Sequence, residues 1–422
     1  MGLRDGYGGR KFSRPAFVLN TRAIGLGVSR SLAMKGVPVI AVDFRKEASK
    51  MTSKSFSSYR QIPDVDSDPD SAADALLEIQ AECGEKGVLF PTSDAFVLFV
   101  SRYRKKLGAQ FDTAIPSEEV IEGIMNKRTQ YENAVRLGVP IPETRFPTSL
   151  SDLDSFKDDM EYPVLIKPYY SHRWQQVFDN KGFQAFNPTE LVRYFGRVLD
   201  SDVKTEAMVQ SVVPGPNTSL RNVRAYIDKG GEVHGAVECQ KVRQYPVDFG
   251  VGCLNQTMHH PGIREVGIRF MKGIGYRGLG AVEFKMDPSD GVPKMMELNA
   301  RVGKTIGLST KAGVNLPWLM YQDMTGMPLD HDAHYADGVR WHDFVMDCRA
   351  YSVLRSRSEV TFNEWVRTSL GAECHPYFDW RDLRPSLVST RYGLTPVNEL
   401  FHIAVLGVGR TIRDFVWRGR VG

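Results

Sequence analysis

The sequence predicts an α/β protein in two parts, an open parallel layer at the N-terminus followed by an α+β region of antiparallel hairpins. Three observations predict it. Between residues 15 and 125 apolar strands alternate with helical stretches, which argues for right-handed βαβ units and a parallel sheet. After residue 205 the pattern turns into strand pairs joined by tight turns. At 422 residues the chain exceeds one ordinary core.

The first layer reads PAFVLN as a strand, then a helix from Arg22 to Lys35 closed by Gly36, then PVIAVDF, a helix from Ser71 to Cys83, and GVLFPTSD. Gly25 and Gly27 follow the first strand and Asp43 ends the second, an arrangement that invites a dinucleotide reading. Position 30, where the third glycine of that fingerprint would fall, is Arg30, which argues against it. A second unit opens with EEVIEGIMNKRTQYENAVRLG, read as one helix ended by Gly138, Pro140 and Pro142. The strand PVLIKP follows, then PYYSHRWQQVFDNKGFQ, whose weak periodicity predicts a loop or hairpin. NPTELVRYFGRVL reads as a helix and EAMVQSVVPG as a strand. RNVRAYIDKGGEVHGAVECQKVRQYP is hairpin grammar with its turn at Lys229 to Gly231. After the helix IREVGIRFMKGIG, AVEFKMD and KMMELNAR form a second hairpin across the turn PSDG. The tail from about Arg340 shows no repeat and no chemical motif.

The formal charge is +4, and basic residues are dispersed apart from a mild arginine cluster in GRTIRDFVWRGR. A nucleic-acid partner is not indicated, because that requires a concentrated basic face. Five cysteines without C-x-x-C spacing indicate neither a zinc site nor a disulfide framework, and a reducing cytoplasm is the expected location. Runs such as FHIAVLGVG are too short to span a bilayer, and the N-terminus lacks the apolar core of a signal peptide.

The chemistry concentrates near residue 300. Glu283, Glu297 and Asn299 place three hard oxygen donors near the ends of adjacent strands, which suits Mg²⁺, with Mn²⁺ as an alternative. In an extended strand Arg301 would share their face. Lys167 ends an apolar strand, which puts its ammonium at the rim of a cleft. Lys241 and Arg243 alternate along a strand and are expected on one face, where an anion between them would relieve their repulsion. The GKT string in NARVGKT fails as a P-loop, since Leu298 stands at the first glycine position.

In order and spacing, Lys127, Lys167, QSVVPG, Lys241, Glu283 and E-L-N-A-R resemble the ATP-grasp superfamily, specifically its carboxylate-amine ligases of the D-aspartate-ligase and carbamoyl-phosphate-synthetase-like type. The resemblance covers about residues 15 to 330. It implies a Rossmann-like pre-ATP-grasp domain over 1–115, ATP-grasp subdomains over 116–205 and 206–335, and a C-terminal extension over 336–422. It further implies ATP held by Lys127, Lys167 and Lys241, adenine read at Gln210, Ser211, Val212 and Val213, and ribose met by Asn217. Mg²⁺ would rest on Glu283, Glu297 and Asn299, with Arg301, Lys241 and Arg243 stabilising phosphoryl transfer. The reaction implied joins a small carboxylate, activated as an acyl phosphate, to an amine with release of ADP and phosphate. Carboxylation or carbamoyl phosphate chemistry, or nucleotide binding without turnover, is the alternative, and a homodimer is left open. The glycine-rich lid of the family is replaced by YYSHRWQQVF, where Ser171, His172 and Arg173 are expected to supply side-chain donors and Trp174 to pack on a ligand, with Gly182 as the remnant of the hinge. Substrate contacts are expected from Asn20, Thr21 and Arg22, from Thr92, Ser93 and Asp94, and from Arg221 and Arg224.

Overall fold

The computed structural model describes residues 11–46, 48, 52–330 and 334–391. Its first sheet is parallel, with β1 (Ala16–Leu19), β2 (Val39–Asp43), β3 (Ser58–Gln61), β4 (Gly87–Pro91) and β5 (Phe111–Asp112) in the order β3-β2-β1-β4-β5. The order reverses between β1 and β4, and a crevice is expected at the carboxyl ends of strands at such a switch point. Fully buried apolar runs in β1 and β2 reflect a sheet covered on both faces. Helix α1 (Ala23–Ala33) packs so close to β1 that an ideal Cβ on Gly25 would lie 1.6 Å from the Asn20 carbonyl oxygen, so only glycine fits there. The helical glycines thus serve packing.

The second sheet runs β6-β9-β7-β8, all antiparallel, from β6 (Thr144–Arg145), β7 (Val164–Pro168), β8 (Phe183–Ala185) and β9 (Ala207–Ser211). The third is the largest: β10 (Leu220–Ile227), β11 (Val233–Tyr245), β12 (Val251–Thr257), β13 (Gly278–Met286) and β14 (Pro293–Asn299), with β15 (Arg340–His342) added at the edge beside β12. Both expected hairpins are present, β10 with β11 and β13 with β14. The first and third sheets share continuous cores, whereas the second has its own around Leu153, Trp174, Leu191 and Phe195. No helix among the described residues is long and apolar enough to cross a membrane.

Two local expectations need correction. The helix expected over 118–138 is two, Glu118–Met125 and Lys127–Arg136, because Asn126 leaves the helical region (φ −90°, ψ 106°) and its side chain accepts from the amides of Arg128 and Thr129. Ser171–Phe178 is a helix rather than a loop. Trp174 and Phe178, four residues apart, pack against each other and Phe183, so an apolar stripe closes over an otherwise polar segment.

The C-terminal stretch is organised by Asp347, fully buried on the helix Phe344–Ser356. Its carboxylate takes a two-point ion pair from Arg243 (2.7 and 2.8 Å) and bonds from His342 Nε2 (3.0 Å), Trp365 Nε1 (2.9 Å) and Ser369 Oγ (3.1 Å). Burial alone would raise its pKa, but Arg243 and His342 outweigh it and hold the carboxyl well below the usual range. Arg243 therefore points into this network and not beside Lys241. The bulge between Lys241 and Arg243 breaks the alternation on which a shared face depended.

Removing the carboxylate would strand a buried guanidinium. Asp347→Ala is expected to lower stability by about 3–5 kcal/mol in chemical denaturation. Because the folded-state pKa is depressed, the Asp347 contribution is full above the ordinary carboxylate range and fades as pH falls below it. The wild-type and Asp347→Ala stabilities should thus converge in acid, and a gap unchanged with pH would contradict this.

Candidate functional site

The β13–β14 register sets Glu283 directly opposite Glu297 on one sheet face, with Asn299 two residues on. Facing carboxylates repel unless cations neutralise them. Lysines from separate elements do so here. Lys241, from β11, lies 2.7 Å from Glu283 Oε2, and Lys127, at the start of the helix Lys127–Arg136, lies 3.2 Å from Glu297 Oε2. That helix is fastened to β14: Gln130 Oε1 accepts from the Leu298 amide (2.8 Å), Gln130 Nε2 donates to the Leu298 carbonyl (3.2 Å), and Tyr131 OH donates to the Met296 carbonyl (2.7 Å). Asn299 Nδ2 adds a bond to Glu297 Oε1 at 3.3 Å. Burial pushes the Glu297 pKa up, but Lys127, Lys167 and the Asn299 bond prevail and bring it to about 2. Glu297 is an ionised carboxylate throughout the physiological range.

Lys167 reaches the same site from β7. Its ammonium lies 3.0 Å from Gln210 Oε1, and burial lowers its pKa against the opposing pull of Glu297 and Glu283. Gln210 is fully buried, with Tyr131 OH also 3.4 Å from Oε1 and its own Nε2 donating to Thr144 Oγ1 at 2.9 Å. Its carbonyl is committed to Lys167 and Tyr131, contrary to the expectation that it accepts from adenine. The backbone beside it is engaged too: the Val212 amide donates to Pro163 O, and Val213 O accepts from Lys285 Nζ at 2.7 Å. Ser211 Oγ lies 3.5 Å from Glu143 Oε2, and Asn217 Oδ1 accepts from Gln244 Nε2 at 2.8 Å.

Lys181, which the sequence reading does not single out, adds a further cation within electrostatic range of the site. Burial lowers its pKa, with Lys241 and Lys127 pushing the same way against Glu297 and Glu283, and its ammonium donates to Phe249 O at 3.1 Å. The available signal was Gly182 beside it: φ is +151°, and a Cβ there would lie 2.6 Å from Ile166 O on β7. The neighbouring expectations fare differently. Trp174 is buried in the local core, its Nε1 donating to Asn180 Oδ1, and Arg173 pairs with Glu206 at 2.5 Å. Neither faces the cleft lysines in this conformation, and His172 is exposed.

β14 ends at Asn299, so Arg301 does not continue its face; it forks onto Asp94 with bonds of 2.8 and 3.2 Å. Asp94 opens the helix Asp94–Arg102, capped by Ser93, in the N-terminal layer. Beside this pair is a small cavity of about 20 Å³ lined by Thr92, Phe90, Ala300, Arg301 and Val302. Asn20 and Thr21 turn to the neighbouring strand, with Asn20 Oδ1 accepting from Arg45 (2.7 Å) and the Thr21 amide donating to Asp43 (2.8 Å). Arg45 also pairs with Asp43 at 2.6 Å. Arg22 is exposed, and Thr92 Oγ1 donates to Leu19 O. Arg221 donates to the carbonyls of Thr218 and Leu220. Arg224, 2 % exposed, donates to Asn222 Oδ1 (3.0 Å) and Thr305 O (2.7 Å).

Two carboxylates amid four lysines make an electropositive cleft suited to a polyanion and a hard cation. Residues 205–343 match the family described as ATP-grasp in the biosynthetic pathway with Ter operon. The chain is 24 % identical over 273 residues to D-aspartate ligase of Enterococcus faecium, a match spanning 62 % of this chain and 65 % of that relative's length. Among solved structures, L-amino acid ligase of Bacillus licheniformis superposes with a TM-score of 0.56 at 16 % identity over 74 % of each chain. N5-carboxyaminoimidazole synthetase of Staphylococcus aureus complexed with ADP gives 0.63 at 12 % identity over 84 % of this chain and 87 % of that one.

Lys127 accounts for much of the depression of the Glu297 pKa. Lys127→Met should raise the Glu297 titration midpoint by about one pH unit or more, read from the carboxylate infrared band, and an unchanged midpoint would remove Lys127 from this balance.

Proposed function

Taking the ATP-grasp fold as premise, we propose that the chain is an ATP-dependent ligase that activates a carboxylate as an acyl phosphate and joins it to an amine, releasing ADP and phosphate. One observation carries the reading: Glu283 and Glu297 face each other across β13 and β14 while lysines from three other elements converge on them.

The donor set fits Mg²⁺ or Mn²⁺. Glu283, Glu297 and Asn299 would hold it, because facing carboxylates are the arrangement a hard divalent cation relieves best. When bound, the ion supplies charge neutralisation for phosphoryl transfer. Lys167, whose carbonyl partner is neutral, keeps an unspent charge for phosphate, Lys127 and Lys241 exchange their carboxylates for phosphate oxygens, and Lys181 exchanges the Phe249 carbonyl. The segment Gln210 to Val213 lines the adenine, and Asn217 meets the ribose. Arg301, released from Asp94, stabilises charge on the transferred phosphoryl and the acyl phosphate. Arg243 is assigned no catalytic part. Catalysis of this kind needs positioning and charge neutralisation rather than a protein nucleophile. The names of D-aspartate ligase and L-amino acid ligase support an amino acid as one substrate.

ADP release in the presence of Mg²⁺ across a panel of amino acids and small carboxylates tests the reading. Substrate-stimulated turnover is expected for an acid and amine pair, and Glu297→Gln should lower it by about 100-fold or more. Nucleotide binding without turnover for any pair would favour a regulatory protein, and ADP release stimulated by bicarbonate alone would favour carboxylation. Arg301→Ala should reduce kcat far more than it raises KM for ATP, since its charge is used as the transfer proceeds. A purely structural Arg301–Asp94 pair would instead make Asp94→Asn equally damaging.

A further inference from the structure

One buried charge has no counterpart in the chain. Among the described residues three arginines are buried, Arg30, Arg224 and Arg243. Arg30 has Asp382 at 3.6 Å and Arg243 has Asp347 at 2.7 Å, whereas Arg224 forms no ion pair with any described residue. Its Nε donates to Asn222 Oδ1 at 3.0 Å and its Nη1 to the Thr305 carbonyl at 2.7 Å, both neutral acceptors. The thiols of Cys239 and Cys374 feel its charge, but burial pushes both up, Cys374 to about 12, so neither is an anion at neutral pH. A guanidinium taken out of water calls for an anion, and this chain supplies none.

The place of Arg224 in the sheet indicates which anion completes it. Asn222 on β10 stands opposite Glu283 on β13, and residues opposite each other share a face. Arg224, two residues on, lies on that face and turns back along its own strand to Asn222, towards the glutamates. In its own row Arg224 stands opposite Ala281, and Ala281 opposite Asn299. Two strand spacings, about 10 Å, separate the Arg224 and Asn299 backbones, with a single methyl group between them. Ala281 and Asn299 are both partly exposed, so solvent reaches the sheet there. Nη2 of Arg224 is neither hydrogen-bonded within the described residues nor among the unpartnered atoms sealed from solvent. A donor is therefore left for an anion lying over Ala281.

We propose that Arg224 binds the carboxylate that is phosphorylated, a small acid lying over Ala281, an inference that rests on the ligase reading of the cleft. One carboxylate oxygen accepts from Nη2 and the other faces the γ-phosphorus. That second oxygen attacks as the P–O bond to the β-phosphate breaks, the electron pair leaving on ADP, so the step needs no further reactant. The charge selects the free acid over its amide, and the row beside the proposed metal ligands holds it next to the transferring group.

Arg224→Met removes the charge and keeps an unbranched side chain. In the ADP-release assay it should raise KM for the acid about 10-fold or more, with KM for ATP changed less than about twofold. Arg224→Lys should recover part of that loss, and Ala281→Leu, which fills the space and leaves Arg224 in place, should raise the same KM. The ligand-free Tm of Arg224→Met should be unchanged or higher, because an unpaired buried charge has been removed. Binding is read apart from turnover by the Tm rise that L-alanine, L-glutamate or succinate gives in the presence of MgADP, expected in the wild type and absent in Arg224→Met. If that rise is lost as expected while no acid stimulates ADP release, the ligase reading falls and the carboxylate site stands. KM for ATP raised as much as KM for the acid would assign the guanidinium to phosphate. A Tm rise equal in both proteins, no rise in either, or a lowered ligand-free Tm with KM for the acid unchanged would likewise overturn the proposal.

Discussion

Two negative charges placed opposite each other on adjacent strands are the constraint on which the cleft depends. Glu283 and Glu297 are fixed by the β13–β14 register, so their repulsion cannot be relieved by sliding and must be met by cations brought from elsewhere. That requirement recruits Lys127 through the helix bonded to β14, Lys241 through β11, and Lys167 through a sheet with different strands altogether. The helix break at Asn126 is part of the same solution, because it starts a new helix at Lys127 and sets Gln130 and Tyr131 against the β14 backbone. Electrostatics at one strand pair thus determines how pieces far apart in sequence are assembled.

Legibility in the sequence followed the range of the interaction. The β13–β14 hairpin and its glutamates were readable because strand alternation and a PSDG turn are local. Lys167 was readable because an apolar strand ending in lysine has few outcomes. Arg243 was misread because one bulge, invisible in composition, rotates it toward Asp347, a partner more than a hundred residues away. The helix Ser171–Phe178 was hidden by polar residues, its stability coming from Trp174 packing on Phe178 and Phe183. Lys181 lies three residues past that helix, and nothing short of the chain path shows that its ammonium meets the Phe249 carbonyl. Gln210 reads from sequence as an adenine contact, whereas its burial makes it a partner for Lys167.

The N-terminal layer is joined to the cleft by more than proximity. Its core is continuous with that of the third sheet, and Arg301, the residue just beyond the paired strands, grips Asp94 on the far side of the boundary. The C-terminal stretch closes the circle, adding β15 to the sheet edge, burying Asp347 against β11, and locking Asp382 onto Arg30. The first and last parts of the described chain therefore brace the same central sheet.

The second sheet stands apart because its core is its own. A molecule with one core shared by two sheets and another held by a third contains two cooperative units, and hydrogen exchange should resolve them as separate opening events. The smaller unit carries Lys167 and Lys181. When it opens, the glutamates lose Lys167 while Lys127 and Lys241 stay with the larger unit, so opening of the smaller unit shifts the charge balance of the cleft without unfolding the sheet that carries it.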